Sequence, residues 1–254
     1  MLVFKFTLVF ALIAALQCFP TSIEEVDHEL SGGFFEGDME LSDEEKKFLF
    51  SGRNGIADEK KRWPNATVYF KITEEFDDAH YNQIITGLRA IESVSCIRFL
   101  PATSKTTAYI NVTAEATGCH SKVGYQKKVQ GLNLQYDKLN KGCFKLGTII
   151  HEFLHALGFH HQQSTHNRDE YVHIAFENIK DGKEGNFKLR EDSLDFGVEY
   201  DYGSVLHYSS TAFSKNGNPT IIPLQNGQEI GQRIGMSNKD IHKLNMMYKC
   251  PVYV

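Results

Sequence analysis

The most regular hydrophobic pattern in the chain runs from Leu146 to Leu157, where apolar positions cover most of the circumference of a helix. The apolar side chains are those of Ile149, Ile150, Phe153, Leu154 and Leu157. Two polar positions interrupt them, His151 and His155, and residues four apart project from one helix face one turn apart. The pattern therefore predicts a buried helix that presents two imidazoles on a single face.

Shorter patterns predict the remaining regular elements. Residues 77–93 repeat apolar positions at helical spacing, and they begin with Asp77 and Asp78, which suit a helix N-terminus. A capping box from Ser237 to Asp240 predicts a final helix that ends near Tyr248. Runs of β-branched and aromatic residues predict strands at 67–72, 97–100 and 109–113, with weaker patterns at 132–136 and 171–176.

Three long stretches lack such periodicity. Residues 119–142 are dotted with glycines, and residues 162–236 hold many glycines, aspartates and asparagines. A long irregular region is unusual inside one domain, so we expect disulfides and a metal to hold it in place. Residues 21–53 are aperiodic and highly charged, and alone they should order poorly.

Composition and charge narrow the class of protein. The chain has 254 residues, of which 41% are hydrophobic, so it can form one large domain or two small ones. The net charge of -5 is uneven, because residues 21–53 carry ten acidic and three basic residues, whereas residues 54–254 carry 22 acidic and 23 basic ones. No basic stripe with interleaved aromatic residues occurs, so we expect no nucleic-acid partner.

The N-terminus has the pattern of a secretory signal peptide. Lys5 precedes an apolar run from Leu8 to Leu16, which is too short to span a membrane comfortably. We therefore expect residues 1–20 to be removed, the protein to be secreted, and no stable membrane association. The alternative is an uncleaved anchor that would tether the protein to a membrane.

Four cysteines lie beyond this signal, namely Cys96, Cys119, Cys143 and Cys250. An even number of cysteines in a secreted chain predicts two disulfides, for which three pairings are open. Two sequons, Asn65-Ala-Thr and Asn111-Val-Thr, match the acceptor pattern for N-glycosylation.

The histidine helix continues into a metal-binding pattern. Gly158 should end the helix in a left-handed turn, and the turn brings His161 back as a third ligand beside His151 and His155. Three neutral imidazoles with one open position are typical of a catalytic zinc, and the adjacent Glu152 can reach a water on that metal. The competing interpretation, a core helix with incidental histidines, does not explain five residue identities fixed over eleven positions, HExxHxxGxxH.

Two further stretches could complete such a site. Residues 204–208 place Leu206 where it could pack beneath the metal, and Tyr208 offers a phenol that could bind metal or donate to an oxyanion. In the acidic segment, residues 34–39 combine two aromatics and a glycine with Asp38, which could dock in a cleft; a simple turn is the alternative. Arg53-Asn54 suits a trypsin-like processing enzyme.

The chain resembles the astacins, zinc endopeptidases of the metzincin group, over essentially its whole length. The resemblance rests on the motif from His151 to His161, on residues 167–172 and 204–208, and on Phe35-Glu-Gly-Asp38, which is similar to the inhibitory motif of astacin zymogens. It implies an α+β metzincin fold with two subdomains across an active-site cleft. The upper subdomain would hold a twisted five-stranded, mostly parallel sheet and two long helices, and the lower one would be mostly irregular with a C-terminal helix.

The same resemblance implies roles for particular residues. Asp38 would bind zinc in place of the catalytic water in the zymogen, and a cut between Arg53 and Asn54 would activate it. The chain would then divide into a signal peptide (1–20), an inhibitory propeptide (21–53) and a catalytic domain (54–254). The disulfides would be Cys96–Cys250 and Cys119–Cys143.

Two positions depart from the family pattern. Leu206 stands where the family usually has methionine, a substitution of similar volume. Gln162 stands where astacins usually have a glutamate that pairs with the new N-terminal ammonium after activation. Glutamine keeps an acceptor without the charge, so a hydrogen bond to the ammonium of Asn54 is the interaction that remains.

We thus predict a secreted, monomeric zinc endopeptidase made as a zymogen, which needs an activating protease and acts on peptide or protein substrates. Zinc bound by His151, His155 and His161 would activate a water, Glu152 would act as general base, and Tyr208 would stabilise the oxyanion or serve as a further ligand. One alternative is a non-catalytic secreted module that retains zinc, against which the intact Glu152 argues. Another is a matrix metalloprotease, which typically carries a prosegment cysteine; here the only N-terminal cysteine, Cys18, lies in the signal.

Overall fold

The computed structural model describes residues 27–41, 58–190 and 195–251. The α-helices in these ranges are α1 (His28–Ser31), α2 (Asp78–Ser93), α3 (Leu146–Leu157) and α4 (Asn238–Met247). The strands are β1 (Met39–Glu40), β2 (Thr67–Ile72), β3 (Arg98–Pro101), β4 (Ile110–Thr113), β5 (Cys119–Lys122), β6 (Gln130–Leu134), β7 (Val172–Ile174) and β8 (Ile221–Pro223). The predicted signal peptide and the predicted cut between Arg53 and Asn54 lie outside the described residues.

Six strands form one mixed sheet in the order β1-β5-β6-β4-β2-β3. All neighbouring strands pair in parallel except β5 and β6, which are antiparallel. The strands from β2 to β6 make up the five-stranded sheet that the family resemblance implies. The sixth strand, β1, comes from the acidic N-terminal segment, which therefore joins the sheet as an edge strand.

The sheet and the two long helices share one hydrophobic core. In β2 the side chains of Val68 and Phe70 are buried while Tyr69 and Lys71 are exposed, as the period of two along a strand requires. The apolar faces of α2 and α3 pack into the same cluster of buried residues. Phe99 of β3 meets Phe153 of α3 edge to face, with ring centroids 5.6 Å apart, so the histidine helix is held directly against the sheet.

A second, separate hydrophobic cluster forms in the C-terminal half. Its buried members are Val172, Ile174, Ile179, Phe187, Tyr200, Tyr208, Ala212, Phe213 and Ile221. Among the described residues of 162–236, the only regular strands are the short antiparallel pair β7 and β8. The rest of that described stretch consists of four 3-10 helices of three or four residues, turns and irregular backbone. The predicted α+β class with a sheet-and-helix half and an irregular half is confirmed.

The largest difference from the sequence prediction lies in residues 119–142. The sequence indicated a loop with a strand at 132–136, whereas the chain forms β5 at Cys119–Lys122 and β6 two residues earlier than predicted, at Gln130–Leu134. Cys-His-Ser-Lys has no β-branched residue, so it carries little intrinsic strand signal. It becomes a strand because β6 and β1 pair with its two edges.

Two disulfides connect distant parts of the chain. Cys96 is bonded to Cys250 with a Cα–Cα distance of 5.3 Å, and Cys119 is bonded to Cys143 at 5.5 Å. These are the pairs that the family resemblance implies. None of the helices within the described ranges combines the length and the apolarity that crossing a bilayer requires.

Candidate metal centre and active site

Helix α3 and the turn after it bring three histidines to one buried point. Gly158 ends the helix at φ 112°, a left-handed conformation that glycine adopts without strain, and its N–H donates to the His155 carbonyl at 2.8 Å. The turn returns His161 to the helix. One ligand atom each from Asp38, His151, His155 and His161 lies within 4.8 Å of the others, so the structure brings together the residues that the sequence predicted as metal ligands.

The hydrogen bonds of these imidazoles define their tautomers. Nδ1 of His151 lies 2.8 Å from the Val205 carbonyl, and Nδ1 of His155 lies 2.7 Å from the Phe159 carbonyl. A carbonyl oxygen can only accept, so both Nδ1 atoms carry the hydrogen and both neutral rings present an Nε2 lone pair to the centre.

The two Nε2 atoms, of His151 and His155, are only 2.9 Å apart. Two lone pairs at this distance repel each other, and a cation bound by both removes the repulsion. Three imidazole nitrogens with one further oxygen match the tetrahedral preference of zinc. The donor set therefore fits a zinc ion.

Asp38 supplies that further oxygen. Its fully buried Oδ2 lies 3.1 Å from Nε2 of both His151 and His161. Burial alone would raise the pKa of Asp38, but the facing imidazoles of His161 and His155 hold it well below its usual range. The carboxylate is therefore charged, and it occupies the centre that the three histidines form.

Glu152 lies beside this centre and is fully buried. Neither of its carboxylate oxygens has a hydrogen-bond partner among the described residues. Burial, followed by the charge of Asp38, raises the pKa of Glu152 well above its usual range. A buried carboxyl group without fixed partners, next to a metal site, can accept and release a proton without breaking other interactions.

Tyr208 contacts the third histidine, but its hydroxyl is engaged by the N-terminal segment. Its ring centroid lies 4.6 Å from that of His161, and its OH donates a short hydrogen bond to the Glu36 carbonyl. Burial, and then the charges of Glu36 and Asp38, raise the pKa of the phenol well above its usual range. Tyr208 is therefore a neutral hydrogen-bond donor whose donor capacity is occupied while the segment is in place.

The backbone around Glu36 explains how the segment reaches the histidines. Gly37 has φ 89°, and a Cβ there would lie 2.6 Å from the Glu29 carbonyl, so no other residue fits this tight turn. The Glu36 N–H donates to Asn186 Oδ1 at 3.1 Å, and the Glu36 carboxylate lies 2.8 Å from Nδ1 of His161. The segment thus holds both ring nitrogens of His161, one through Glu36 and the other through Asp38.

A second contact of the same segment lies at α1. Glu29 is 4% exposed; its carboxylate forms a two-oxygen ion pair with the Arg233 guanidinium and accepts from Thr148 Oγ1 at 2.8 Å. No individual role for Glu29, Glu36 or Arg233 follows from the sequence alone. Glu36 lies inside the recognised Phe-Glu-Gly-Asp motif, but Glu29 is one acid among many, and its partner is 204 residues away.

Acidification should weaken the Glu29–Arg233 contact. Burial would raise the pKa of Glu29, but Arg233 lowers it to about 2 from an ordinary value near 4.5. The contribution of a depressed acid to stability is complete above about pH 4.5 and is lost as the pH falls towards 2. At pH 6 we expect Glu29→Gln to lower the unfolding free energy of the precursor by about 3 kcal/mol, and this difference should shrink below pH 4.5. Denaturant unfolding of both proteins from pH 6 to 3 measures it; a difference independent of pH contradicts the assignment.

Leu206, the first departure from the family pattern, is a core residue with 4% exposure and belongs to the same cluster as α3. Leucine and methionine have similar volumes, so Leu206→Met should change the unfolding free energy by about 1 kcal/mol or less and leave zinc affinity and turnover nearly unchanged. Denaturant unfolding, zinc titration and a peptidase assay test this. A large gain in stability, zinc affinity or turnover would show that the methionine sulfur has a specific effect at this position.

Gln162, the second departure, already has a cationic partner. Its Oε1 accepts from the buried Lys243 ammonium at 2.5 Å, and its backbone N–H donates to the Leu206 carbonyl at 3.0 Å. Burial lowers the pKa of Lys243, although the nearby Asp240 partly offsets this effect. Asn54, the residue that the resemblance pairs with this position, lies outside the described residues.

The two predicted glycosylation asparagines differ in environment. The Asn65 side chain is exposed next to β2, whereas Asn111 is half-buried on the interior strand β4. The structure therefore offers Asn65 as the more accessible acceptor.

Comparison with known proteins shows to which family the chain belongs. The family model described as Astacin, a peptidase family, matches residues 55–249. The chain belongs to the astacin family. It is accordingly a zinc-dependent metalloendopeptidase, and the recognition made from the motifs is confirmed.

Several metalloproteases are similar to this chain along most of its length. Seminal metalloprotease 1 of Drosophila melanogaster is 44% identical over 92% of this chain and 95% of its own length. Zinc metalloproteinase nas-13 of Caenorhabditis elegans is 39% identical over 79% of this chain, and meprin A subunit beta of Homo sapiens is 36% identical over 90%. The chain spans only 44% and 31%, respectively, of those two longer relatives.

Among solved structures, the chain is similar to high choriolytic enzyme 1, a hatching enzyme zinc-protease from the medaka Oryzias latipes. It has a TM-score of 0.69 and 35% identity over 75% of this chain and 94% of the solved chain. This identity is well above the level at which a structural match shows the fold alone.

Proposed function

We propose that the protein is a secreted astacin made as a latent precursor, in which the acidic N-terminal segment blocks a complete catalytic centre. The observation that carries the proposal is the Asp38 carboxylate, which lies 3.1 Å from Nε2 of two of the three converging histidines. A substrate carbonyl or a water needs that same position. The chain thus contains both the catalytic centre and the group that occupies it.

The metal would be held by Nε2 of His151, His155 and His161. A bound zinc ion would lower the pKa of a water molecule and polarise the peptide carbonyl. The protein contributes the fixed Nδ1–carbonyl hydrogen bonds, which orient His151 and His155 so that neither ring has to rotate on metal binding.

Glu152 would act as general base and then as general acid. With Asp38 withdrawn, the largest nearby negative charge is gone and water can reach the carboxyl group, so its pKa should fall towards the range that proton transfer requires. The carboxylate takes a proton from the attacking water and later gives it to the leaving amine. Tyr208, freed from the Glu36 carbonyl, would donate its hydrogen bond to the oxyanion.

Activation would require removal of the segment from at least three contacts. Asp38 fills the histidine centre, Glu36 holds His161 and Tyr208, and Glu29 is paired with Arg233. Cleavage at Arg53–Asn54 by a trypsin-like enzyme would turn residues 21–53 into a separate peptide and the catalytic domain into a chain beginning at Asn54. These contacts then act between two molecules and lose the effective concentration that the covalent connection provides.

Secretion is supported by the two disulfides, because such bonds persist in oxidising compartments. The signal-like residues 1–20 agree with this location. A monomeric state and the identity of the activating protease stay predictions from the sequence.

Removal of zinc should abolish hydrolysis. We expect trypsin-processed protein to digest casein, and a chelator to lower the rate by about 100-fold or more, since the centre loses both water activation and carbonyl polarisation. Added zinc should restore the rate. A serine protease inhibitor in every sample removes the contribution of residual trypsin.

The same assay distinguishes the proposed function from its rival, a secreted module that binds zinc without catalysis. Processed protein that contains zinc and digests neither casein nor gelatin would establish the rival. Hydrolysis that is unchanged by the chelator would contradict both functions, because the proposed enzyme needs the metal and the rival does not hydrolyse peptides.

A further inference from the structure

The edge of the main sheet next to the metal centre presents two basic side chains on one face. His120 and Lys122 are two residues apart on β5, so they project to the same side of the sheet. Ser121, between them, points to the opposite side and is fully buried, as is its partner Met39 of β1. The polar side of this edge is therefore defined by His120 and Lys122.

Glu40 of β1 shows what these two side chains bind. Its Oε1 lies 2.7 Å from Nδ1 of His120, and its Oε2 lies 2.5 Å from Nζ of Lys122. Each of the two side chains thus lies at one oxygen of the same carboxylate. Lys122 forms an ion pair with it, and Nδ1 of His120 is close to it without a well-aligned hydrogen bond.

The position of His120 is set by groups other than Glu40. Its Nε2 lies 2.9 Å from Thr117 Oγ1, and its ring packs against Phe34 with centroids 4.0 Å apart. Its side chain is only 8% exposed, whereas those of Glu40 and Lys122 are 20% and 26% exposed. The hydrogen bond to Thr117 belongs to the β5 side and does not depend on the N-terminal segment.

A glycine on the neighbouring strand lies beside this carboxylate. Lys122 is next in register to the Ser121–Leu132 pair of β5 and β6, which places it opposite Gly131. A Cβ added at Gly131 would lie 3.9 Å from Glu40 Oε1. The sheet surface below the two basic residues is thus bare backbone, which leaves room for an incoming acidic side chain.

We propose that His120, Lys122 and the bare backbone at Gly131 form a carboxylate-binding subsite, which takes an Asp or Glu side chain of a peptide substrate after the N-terminal segment has left. The inference rests on the proposed function, since it assumes that the segment departs and that a peptide is cleaved. Loss of β1 leaves the outer edge of β5 open, and an extended peptide can add there as a strand.

The distance along the strand sets the position of the preferred residue. Glu40 is two residues from Asp38, which occupies the metal centre, and an extended chain advances about 3.3 Å per residue. The preferred acidic residue should therefore lie about two residues from the cleaved bond. Such peptides are the substrate class that this subsite selects.

A binding experiment tests the subsite without relying on catalysis. Synthetic peptides of residues 27–41, with Glu40 or with Glu40→Gln, are titrated against trypsin-processed chain that carries Glu152→Gln. Loss of the carboxylate should weaken binding about tenfold to the parent chain and less than about twofold to a Lys122→Met chain. Equal weakening in both chains would overturn the subsite. Lys71→Met, an exposed lysine on β2, three strands away from β5, is the matched control and should behave as the parent.

A cleavage experiment tests the preference itself. Fluorogenic peptides carry Glu or Gln at each position from three residues before to three residues after the cleaved bond. One position about two residues from that bond should show a Glu-to-Gln ratio of kcat/KM of about 3 to 10, which falls to near one in Lys122→Met and persists in Lys122→Arg and Lys71→Met.

The two experiments separate the inference from the proposed function. A ratio that is unchanged in Lys122→Met overturns the subsite even if hydrolysis is rapid. If no processed chain cleaves any peptide while the binding difference at Lys122 is present, the proposed function fails and the carboxylate subsite stands.

Discussion

Glu152→Gln should lower the peptidase activity of the processed protein by about two to four orders of magnitude without lowering its zinc content. The amide has nearly the same shape as the carboxyl group, so it can be buried at the same place, but it cannot accept the proton of the attacking water. Because neither oxygen of Glu152 has a partner among the described residues, the substitution breaks no hydrogen bond there. The loss should therefore appear in kcat rather than in the unfolding free energy.

The measurement is a comparison of kcat, KM and bound zinc between the two processed proteins. Glu177→Gln, which removes an exposed acid away from the centre, serves as the control for a change of net charge. Activity of Glu152→Gln within about tenfold of the parent would exclude this residue as the general base, because proton transfer usually contributes more than that. Loss of zinc together with activity would instead mark it as part of the metal site.

The sequence predicted the grouping of the three histidines well because these residues lie close together along the chain. His151, Glu152 and His155 lie on one helix, and Gly158 and His161 follow within six residues, so helical period and glycine chemistry suffice to place them. The buried helix, its C-terminal turn and the converging imidazoles agree with that prediction in the structure. Tyr208 is more distant along the chain, so its spacing alone is a weak signal, and the family resemblance is what strengthened it.

The contacts of the N-terminal segment could not be predicted in the same way. Glu29 and Arg233 are paired across 204 residues, and neither stands in a periodic pattern. Strand β5 has little intrinsic strand propensity, and it depends on pairing with β6 and with β1 of the segment. Both features are set by tertiary contacts, which the pattern of a single stretch does not contain.

The segment also shows why a highly charged stretch can be ordered. Residues 21–53 have too few apolar residues to form a core alone. Met39 is nevertheless fully buried in the main cluster, and Leu30 packs against the second one. The acids Glu29, Asp38 and Glu40 each meet basic or imidazole partners on the catalytic domain. The charge that disfavours independent folding is thus the charge that binds the segment to its own domain.

Asp38→Ala should make the uncut precursor active. To exclude processing at the predicted cut site, both precursors carry Arg53→Gln. Removing one partner from a buried, hydrogen-bonded charged cluster costs about 2–4 kcal/mol, so the fraction of precursor with an open centre should rise about 30- to 1000-fold. Hydrolysis of a fluorogenic peptide by the uncut chain should rise by the same factor.

A control variant separates the effect of the Asp38 carboxylate from the effect of the rest of the N-terminal segment. Asp181→Ala removes an aspartate whose side chain is 96% exposed, and it should leave the precursor latent. Gel analysis of each reaction confirms that the chain is still uncut. Suppose that Asp38→Ala stays silent although it binds zinc, while the same variant with Arg53 retained becomes active after trypsin. Latency must then come from the cover that Glu36, Glu29 and the β1 pairing provide. Asp38 would then be a ligand of the metal without being the group that keeps the precursor inactive.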